Sequence, residues 1–257
     1  MKWPSLHGIK RTLEYSAKTM LLAPFPLRDD FVMVSGADRS HFKSLLNLLK
    51  SAKKWEPNMR FIVYDLGFEA VQREEIAIAF PFIELRQFDY SQYPAYFDIR
   101  INAGEFAWKP VIFSEVFCEV RGSVCWFDAG NLILEPLMWL RKLVQWTGFY
   151  SPISKGTVGM WTHPATLAFL KADASVAGKP NLTGGCVSAN HRSLKARNFV
   201  AQWKECALIK ECIAPSGSNR YNHRQDMSIL AILAYQMRLP MYLSKYRLGF
   251  DIQQDVD

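Results

Sequence analysis

Residues 124–131 read Val-Cys-Trp-Phe-Asp-Ala-Gly-Asn, an apolar run that ends abruptly in the carboxylate of Asp128. Such a run is typical of a buried strand, and in open α/β sheets ligands collect where strands end. A carboxylate at this end is well placed to hold a metal ion, a phosphate or a sugar. The alternative is a plain strand-terminating turn, because Asp, Gly and Asn are all turn-forming residues.

The sequence before this run alternates between apolar and amphipathic segments. Residues 31–34 predict a first strand, and residues 42–49 carry apolar side chains at helical spacing, with Ser40 as the predicted N-cap. The next elements are predicted as a strand at 61–65, a helix at 69–79 and a strand at 82–88. This order predicts an α/β domain with a mostly parallel central sheet flanked by helices.

The second half of the chain continues the helical pattern after a polar loop at 89–105. Pro110 is expected to open a helix that runs through Val120, since proline is tolerated in the first helical turn. Further helices are predicted at 136–146, 164–172, 193–210 and 225–236, and a short strand after Gly184-Gly185. No linker or repeat divides the chain. We therefore predict an arm at 1–30, one domain at 31–245 and a tail at 246–257.

Composition restricts the partners and the compartment. The 257 residues carry a formal net charge of +7, which favours anionic partners such as nucleotide-linked substrates or acidic lipid surfaces. No block of five like charges occurs, so nucleic acid is not an expected partner. The five cysteines show no metal-binding spacing, and free cysteines favour a reducing compartment. No apolar run reaches the ~20 residues of a membrane helix, so we expect a soluble cytoplasmic protein.

Common catalytic motifs are missing from the sequence. It contains no GxGxxG, Walker A, HExxH or GxSxG pattern. These absences remove dinucleotide oxidoreductases, P-loop kinases, zincins and serine hydrolases from the leading classes.

Polar residues also follow other predicted strands and helix starts. Asp38 and Asp65 follow the first two strands, where each is either a ligand contact or a turn and cap residue, and for Asp65 we favour the cap. Lys109 stands at a helix start, where the positive end of the helix dipole favours anions, although an isolated lysine is more often an exposed surface residue. Gly184-Gly185 permits close approach to a ligand, or forms a turn. Residues 221–226 include five polar side chains ahead of a predicted buried helix. This is more polar groups than are required to cap a helix.

Taken in their order along the chain, these segments resemble glycosyltransferases of the GT-A type. The order is most similar to that of glycosyltransferase family eight and related bacterial polysaccharide enzymes. The matching segments are 34–38, 61–65, 107–110, 126–130, 182–190 and 223–226. The resemblance spans roughly residues 30–240. It implies a single Rossmann-like nucleotide-diphospho-sugar transferase domain.

The same resemblance implies roles for individual residues. Asp38 would touch the nucleoside, Lys109 the diphosphate, and Asp226 the transferred sugar or the acceptor. Asp128 would be the first acid of a DxD motif, which holds a divalent metal, Mn²⁺ or Mg²⁺, on the donor diphosphate. The donor-binding set implied in this way is Ser35, Asp38, Lys109, Asp128, Gly130, Gly184, Gly185 and His223.

The chain departs from the family pattern at two places. Gly130 stands where the second acid of DxD is usual, which leaves Asp128 to bind metal alone or with His223 or Asn131. The family-eight HxxGxxKPW segment has no counterpart, since residues 245–250 read Lys-Tyr-Arg-Leu-Gly-Phe.

The chemistry of sugar transfer fits the remaining candidates. Cleavage of a sugar–phosphate bond requires neutralisation of the leaving diphosphate by a metal or by cations such as Lys109, Arg100 or Arg224. An inverting transfer also needs a carboxylate base, for which Asp226 is the candidate; in a retaining transfer Asp226 would orient the sugar.

We therefore expect a glycosyltransferase of the hexosyltransferase type that uses a UDP-sugar and a glycan or lipid-linked acceptor, in the cytoplasm or at the inner face of the membrane. The alternatives are a non-catalytic sugar-nucleotide or glycan-binding GT-A protein, and a nucleotidyltransferase that makes sugar nucleotides.

Overall fold

The computed structural model of the chain describes residues 26–28, 30–241 and 248–257. Ten described strands are β1 (Phe31–Ala37), β2 (Arg60–Asp65), β3 (Ile83–Gln87), β4 (Ser123–Phe127), β5 (Leu132–Ile133), β6 (Phe149–Tyr150), β7 (Ile153–Thr157), β8 (Pro180–Leu182), β9 (Cys186–Asn190) and β10 (Phe250–Asp251). The predicted arm at 1–30 lies almost entirely outside the described residues.

The described α-helices are α1 (Phe42–Trp55), α2 (Ala70–Ala79), α3 (Trp108–Val120), α4 (Met138–Thr147), α5 (Pro164–Phe169), α6 (Ala174–Ala177), α7 (Leu194–Ala207), α8 (Lys210–Ile213) and α9 (Gln225–Gln236). Short 3-10 turns connect several of them. The predicted helices at 164–172 and 193–210 are each shorter than expected, and the second is followed by α8 as a separate turn.

A six-stranded sheet in the order β3-β2-β1-β4-β9-β6 forms the centre of the domain. Strands β1 to β4 are parallel, whereas β9 runs antiparallel to both β4 and β6. The mostly parallel α/β architecture that the sequence predicts is thus observed. Parallel strands align their carboxyl ends, so the residues that follow β1, β2 and β4 come to one edge.

Side chains of β4 alternate between two hydrophobic cores because successive strand residues point to opposite faces. Val124 and Trp126 join the core formed with α3, α7 and α9. Cys125 and Phe127 join the core formed with α1 and α4. Burial on both faces explains why β4 reads as a continuous apolar run.

The start of α1 differs from the prediction. The Asp38 carboxylate, not Ser40, caps this region by accepting the backbone N–H groups of Ser40 and His41, and α1 begins at Phe42. Asp38 fills this role because its short side chain reaches back to the backbone of the following turn.

Two features escaped the sequence analysis. Cys206 and Cys212 form a disulfide with a Cα–Cα separation of 5.3 Å, so not all five cysteines are free. Residues 248–257, predicted as a tail, pack on the domain: β10 pairs antiparallel with β5, and the rings of Phe250 and Phe127 lie 4.8 Å apart.

Candidate active site

Asp128 follows β4 directly and is held in a fixed orientation. Its Oδ1 accepts hydrogen bonds from Lys109 Nζ at 2.7 Å and from Trp126 Nε1 at 2.6 Å. Its Oδ2 receives no hydrogen bond from the described residues, and 43% of the Asp128 side chain is exposed. One oxygen is therefore engaged by the protein while the other remains available to a ligand.

Lys109 is buried, with 3% of the residue exposed, so the exposed-lysine alternative is wrong. Placed in the first turn of α3, its Nζ also donates to Gly184 O at 3.3 Å and lies 3.5 Å from Asp226 Oδ2. Burial alone would lower the pKa of Lys109, but the charges of Asp128 and Asp226 outweigh it and raise that pKa. The ammonium group is therefore charged and shared between two carboxylates.

Asp226 is the second residue of α9 and is only 3% exposed. Its Oδ2 has no hydrogen-bond partner among the described residues. Burial raises the pKa of Asp226, although the charge of Lys109 opposes the shift. A buried carboxyl with a raised pKa can exchange a proton with a bound ligand.

Gly184 and Gly185 run alongside these two acids. A Cβ on Gly184 would lie 2.9 Å from Asp226 Oδ2, and a Cβ on Gly185 would lie 3.5 Å from Asp128 Oδ2. Any side chain at residue 184 would thus crowd the buried carboxylate. Because glycine carries no Cβ, the backbone at residues 184 and 185 approaches both acids closely.

Two other predicted residues, Ser35 and Asp38, lie in β1 and directly after it. Ser35 is fully buried in β1, and its Oγ has no hydrogen-bond partner among the described residues. Asp38 Oδ1 accepts hydrogen bonds from the turn that it caps and lies 2.9 Å from His41 Nδ1. These contacts lower the pKa of Asp38 to about 2, chiefly through the His41 hydrogen bond.

His223 is buried and both of its ring nitrogens are used within the protein. Nδ1 accepts the backbone N–H of His163 at 3.2 Å, so Nε2 carries the proton that it donates to Ile213 O at 2.8 Å. Burial lowers the pKa of His223 to about 4. The structure therefore gives no support to the expected donor or metal contact, and His223 instead fixes the loop before α9.

The other candidates have structural partners. Asp65 accepts the backbone N–H groups of Gly67 at 2.8 Å and Phe68 at 2.6 Å, which confirms the turn interpretation. Arg100 is exposed and pairs with Asp98 at 2.6 Å, and the Arg224 guanidinium lies 4.5 Å from the centre of the Trp161 ring.

The sequence analysis assigned no role to Trp126 or Arg220, which adjoin the site, and named Asn131 only as a possible metal ligand. Trp126 orients Asp128, and Asn131 donates to Gly185 O at 2.7 Å, which joins the loop after β4 to the glycines. Arg220 donates to Gln225 Oε1 at 3.2 Å; burial lowers the pKa of Arg220, and the charges of Asp226 and Asp128 oppose that shift. For Trp126, the one indication in the sequence was its position two residues before an expected ligand.

A left-handed turn at 102–106 borders the site. Every residue of the turn has positive φ, and Glu105 Oε2 accepts a hydrogen bond from Gln225 Nε2 at 3.1 Å. Non-glycine residues adopt this conformation at a cost of roughly 1–3 kcal/mol each, and such strain concentrates at functional sites.

Two features are absent from the part of the chain that the structure describes. Within these residues, no three His, Cys, Asp or Glu side chains are grouped so that they could bind one metal ion. Nor do residues 26–28, 30–241 and 248–257 include a helix with both the length and the apolar character needed to cross a bilayer.

The amino-acid sequence matches one family model over part of the chain. Residues 12–114 match a family model described as "Protein of unknown function (DUF1647)", which is less than half of the chain. No curated protein matches the chain in sequence.

Solved structures resemble the chain more extensively. An active-site mutant of LgtC superposes with a TM-score of 0.51 and 15% identity over 88% of this chain and 84% of LgtC. The apo form of WbbM, a bifunctional glycosyltransferase, gives a TM-score of 0.50 and 14% identity over 80% of this chain. The chain spans only 38% of the length of WbbM. The fold is accordingly that of GT-A glycosyltransferases.

Proposed function

We propose that this protein is a glycosyltransferase that moves a hexose from a nucleotide-sugar donor, a UDP-sugar, to a glycan or lipid-linked acceptor. One observation carries the proposal: the buried ammonium of Lys109 lies between Asp128 and Asp226, beside Gly184. This group stands at the carboxyl edge of a GT-A sheet, where α/β folds bind ligands.

The charges of the site suit a diphosphate leaving group. As the sugar–phosphate bond breaks, negative charge grows on the diphosphate and must be neutralised. Lys109 is the buried cation nearest to that position, and Arg220 adds a second positive charge near Asp226 and Asp128. Their fixed placement lets them stabilise the developing charge without rearrangement.

A divalent metal fits one part of this site. Asp128 Oδ2 is free of protein donors, and carboxylate oxygen is the ligand that Mg²⁺ and Mn²⁺ prefer. When bound, the metal would supply further positive charge at the diphosphate. Lys109 and Trp126 hold the other oxygen, so they fix the direction in which Asp128 offers its ligand atom.

Asp226 is the candidate for handling the acceptor proton. Burial raises the pKa of Asp226, which makes its carboxylate a stronger base, and its Oδ2 is in ion-pair contact with Lys109 Nζ at 3.5 Å. In an inverting transfer Asp226 takes the proton of the acceptor hydroxyl; in a retaining transfer it stabilises the sugar beside Gly184.

The net charge and the cysteines bear on where in the cell the protein would act. The net charge of +7 suits an acceptor at an anionic membrane surface, as expected from the sequence. Cytoplasmic location was expected from free cysteines, whereas Cys206 and Cys212 are paired, which is more typical of oxidising compartments.

The decisive experiment is a panel of nucleotide sugars assayed for thermal stabilisation and for release of nucleoside diphosphate, with and without Mn²⁺. We expect one donor to stabilise the protein and to be hydrolysed slowly, and Asp128→Ala and Asp226→Asn to abolish hydrolysis. Glu75→Ala, an exposed change in α2, serves as the control. Release of pyrophosphate would indicate a nucleotidyltransferase, and binding without release would indicate a non-catalytic binder, which Gly130 in place of the second acid favours.

A further inference from the structure

We infer that the acceptor carries an anionic group, a phosphate or a carboxylate, and that Arg224 binds this group with Arg220 beside it. The inference rests on the proposed function, because it names the chemical class of the acceptor. It concerns two guanidinium groups on the segment that leads into α9. The sequence analysis considered Arg224 only as a cation for the leaving diphosphate and gave Arg220 no role.

The Arg224 guanidinium packs against an aromatic ring. It lies 4.5 Å from the centre of the Trp161 ring, and the residue is partly buried. Within the described part of the chain, no acid forms an ion pair with Arg224, and no group accepts a hydrogen bond from its guanidinium. A guanidinium carries five N–H donors in one plane, and stacking on a ring leaves those donors free to bind a ligand at its edge.

Hydrogen bonds fix both members of this stacked pair. The indole Nε1 of Trp161 donates to Lys155 O at 2.9 Å. The backbone O of Trp161 accepts the backbone N–H of Arg224 at 3.0 Å and the hydroxyl of Ser228 at 2.5 Å. The turn that carries Trp161 is thus joined to the start of α9. A group held in this way before a ligand arrives loses less entropy when the ligand binds.

A second guanidinium, that of Arg220, lies close enough to repel Arg224. Arg220 is 4.5 Å from the centre of the Phe106 ring and donates to Gln225 Oε1 at 3.2 Å. Burial lowers the pKa of Arg220, the charge of Asp226 opposes that shift, and the charge of Arg224 adds to it. Arg220 also lacks an ion pair with any described acid. Two like charges without acidic partners favour a bound anion, because the anion offsets their repulsion.

The position of Arg224 assigns this anion to the acceptor. Lys109 is the cation in contact with Asp128, where the proposed function places the donor diphosphate. Arg224 forms no described contact with either of these residues, and it precedes Asp226 by two positions. Arg220 interacts with the charges of both Asp226 and Arg224. An acceptor anchored at Arg224 would therefore be held on the side of Asp226, the candidate that receives its proton.

The chemistry of arginine suits a phosphate or a carboxylate. A guanidinium binds two oxygens of such a group at once, and these charge-assisted hydrogen bonds are about twice as strong as neutral ones. A lipid-linked saccharide supplies a phosphate, and an acidic glycan supplies a carboxylate. The two acceptors share an anionic oxygen group, and simple probes can distinguish them.

The test measures the binding of glucose-6-phosphate, glucuronate and glucose to the full chain by saturation-transfer NMR titration, with and without saturating UDP. We expect at least one anionic probe to bind more tightly than glucose, and to bind equally well when UDP occupies the donor site. The preferred probe shows whether the acceptor group is a phosphate or a carboxylate. Arg224→Gln should weaken that binding roughly tenfold or more, the usual effect of losing a hydrogen bond to a charged group, and leave UDP binding unchanged.

Three further variants serve as controls. Arg238→Gln removes the same charge at an exposed residue beyond the opposite end of α9, and it should bind every probe as the unaltered chain does. Arg224→Lys should regain part of the affinity, because it restores the charge without the planar set of donors. Arg220→Gln should weaken binding of both the anionic probe and UDP, since Arg220 also interacts with the charge of Asp128. Melting temperatures establish that each variant is folded.

Several results would overturn the inference. It is wrong if neither anionic probe binds, if glucose binds as tightly, or if a folded Arg224→Gln variant keeps its affinity for the anionic probe. Weaker probe binding in the presence of UDP would assign Arg224 to the donor diphosphate. Loss of affinity for UDP-glucuronate but not for UDP-glucose in Arg224→Gln would assign it to the donor sugar. All of these results leave the proposed function intact, whereas failure of every nucleotide sugar to bind, with or without Mn²⁺, would refute that function.

Discussion

The indole N–H of Trp126 donates to Asp128 Oδ1, the same oxygen that Lys109 contacts, across a distance of 2.6 Å. Trp126 is fully buried in β4, so the sheet itself sets the direction of the Asp128 carboxylate. A side chain of the hydrophobic core thereby determines which carboxylate oxygen faces the ligand space. Residues that orient a metal- or substrate-binding side chain in this way matter for binding nearly as much as that side chain does.

Trp126→Phe should weaken the site while leaving most of the apolar packing. A hydrogen bond to a charged group contributes about 1.5–3 kcal/mol, so we expect a loss of that order in kcat/KM for donor hydrolysis. The companion variant Trp139→Phe changes a half-buried tryptophan of α4 outside the site. Equal activity of Trp126→Phe and the unaltered protein would show that Lys109 alone orients Asp128.

Lys109→Met should destabilise the protein as well as inactivate it. Removal of one partner of a buried ion pair costs about 3–5 kcal/mol, because the remaining charges stay buried without compensation. Urea unfolding measures this loss, with Lys50→Met on the exposed face of α1 as the control. The double variant Lys109→Met/Asp226→Asn should recover part of the stability, since the second change removes one uncompensated acid. Additive losses would mean that the two residues do not interact.

The activity should fall at acid pH through Asp226. Burial raises the pKa of Asp226 above its ordinary 3.8, so the acid limb of kcat/KM should lie above that value. As pH rises, the free energy of unfolding should change in the opposite direction to kcat/KM. As pH rises past 3.8 the unfolded chain loses this proton first, so the free energy of unfolding decreases relative to Asp226→Asn until the folded pKa is passed. A pH-independent difference between the two proteins would contradict the assignment.

Asp38 should show the reverse dependence. Its pKa is lowered to about 2 from 3.8, mainly by the His41 hydrogen bond, so its stabilisation is fully present above 3.8 and disappears as pH falls through 2. Asp38→Ala should cost about 0.5–2 kcal/mol near neutral pH, the usual value for a lost cap. Unfolding by urea at a series of pH values measures both effects. Unchanged donor binding by this variant would mean that Asp38 is a cap and does not contact the nucleoside.

The disulfide between Cys206 and Cys212 predicts how many cysteines react as free thiols. Denatured without reductant, the protein should react with Ellman's reagent at Cys118, Cys125 and Cys186 only. Full reduction should expose two more thiols and lower stability by about 2 kcal/mol, the entropy expected for a loop of this size. Five reactive thiols before reduction would restore the original expectation of a reducing compartment.

Much of the fold could be predicted because its signals are local. Apolar runs such as 61–65 and the helical spacing at 42–49 depend only on neighbouring residues, and both elements were confirmed. The antiparallel pairing of β7 with β8 was missed because the two strands lie far apart in the chain. Thr157, for example, pairs with Pro180. Long-range pairing leaves little trace in single-sequence periodicity.

The site was predictable only where a residue stood at the end of an element. Asp128, Lys109 and Asp226 were all singled out by position, and the structure brings the three together. His223 was misleading, because the sequence does not show that both of its nitrogens bind backbone groups. The contact of the Asp255 carboxylate with Gly130 left no signal in the sequence, since it depends on tertiary packing.

The pairing of β10 with β5 has a consequence for biosynthesis. Residues 132 and 251 become neighbours only after more than a hundred intervening residues have left the ribosome. Nascent domains form as units during translation, so the central sheet can assemble while the loop after β4 is still without its covering segment. A protein interrupted before residue 250 would be expected to keep its parallel strands yet lack the Phe250 ring that packs on Phe127, so this part of the core would stay incomplete until synthesis proceeds.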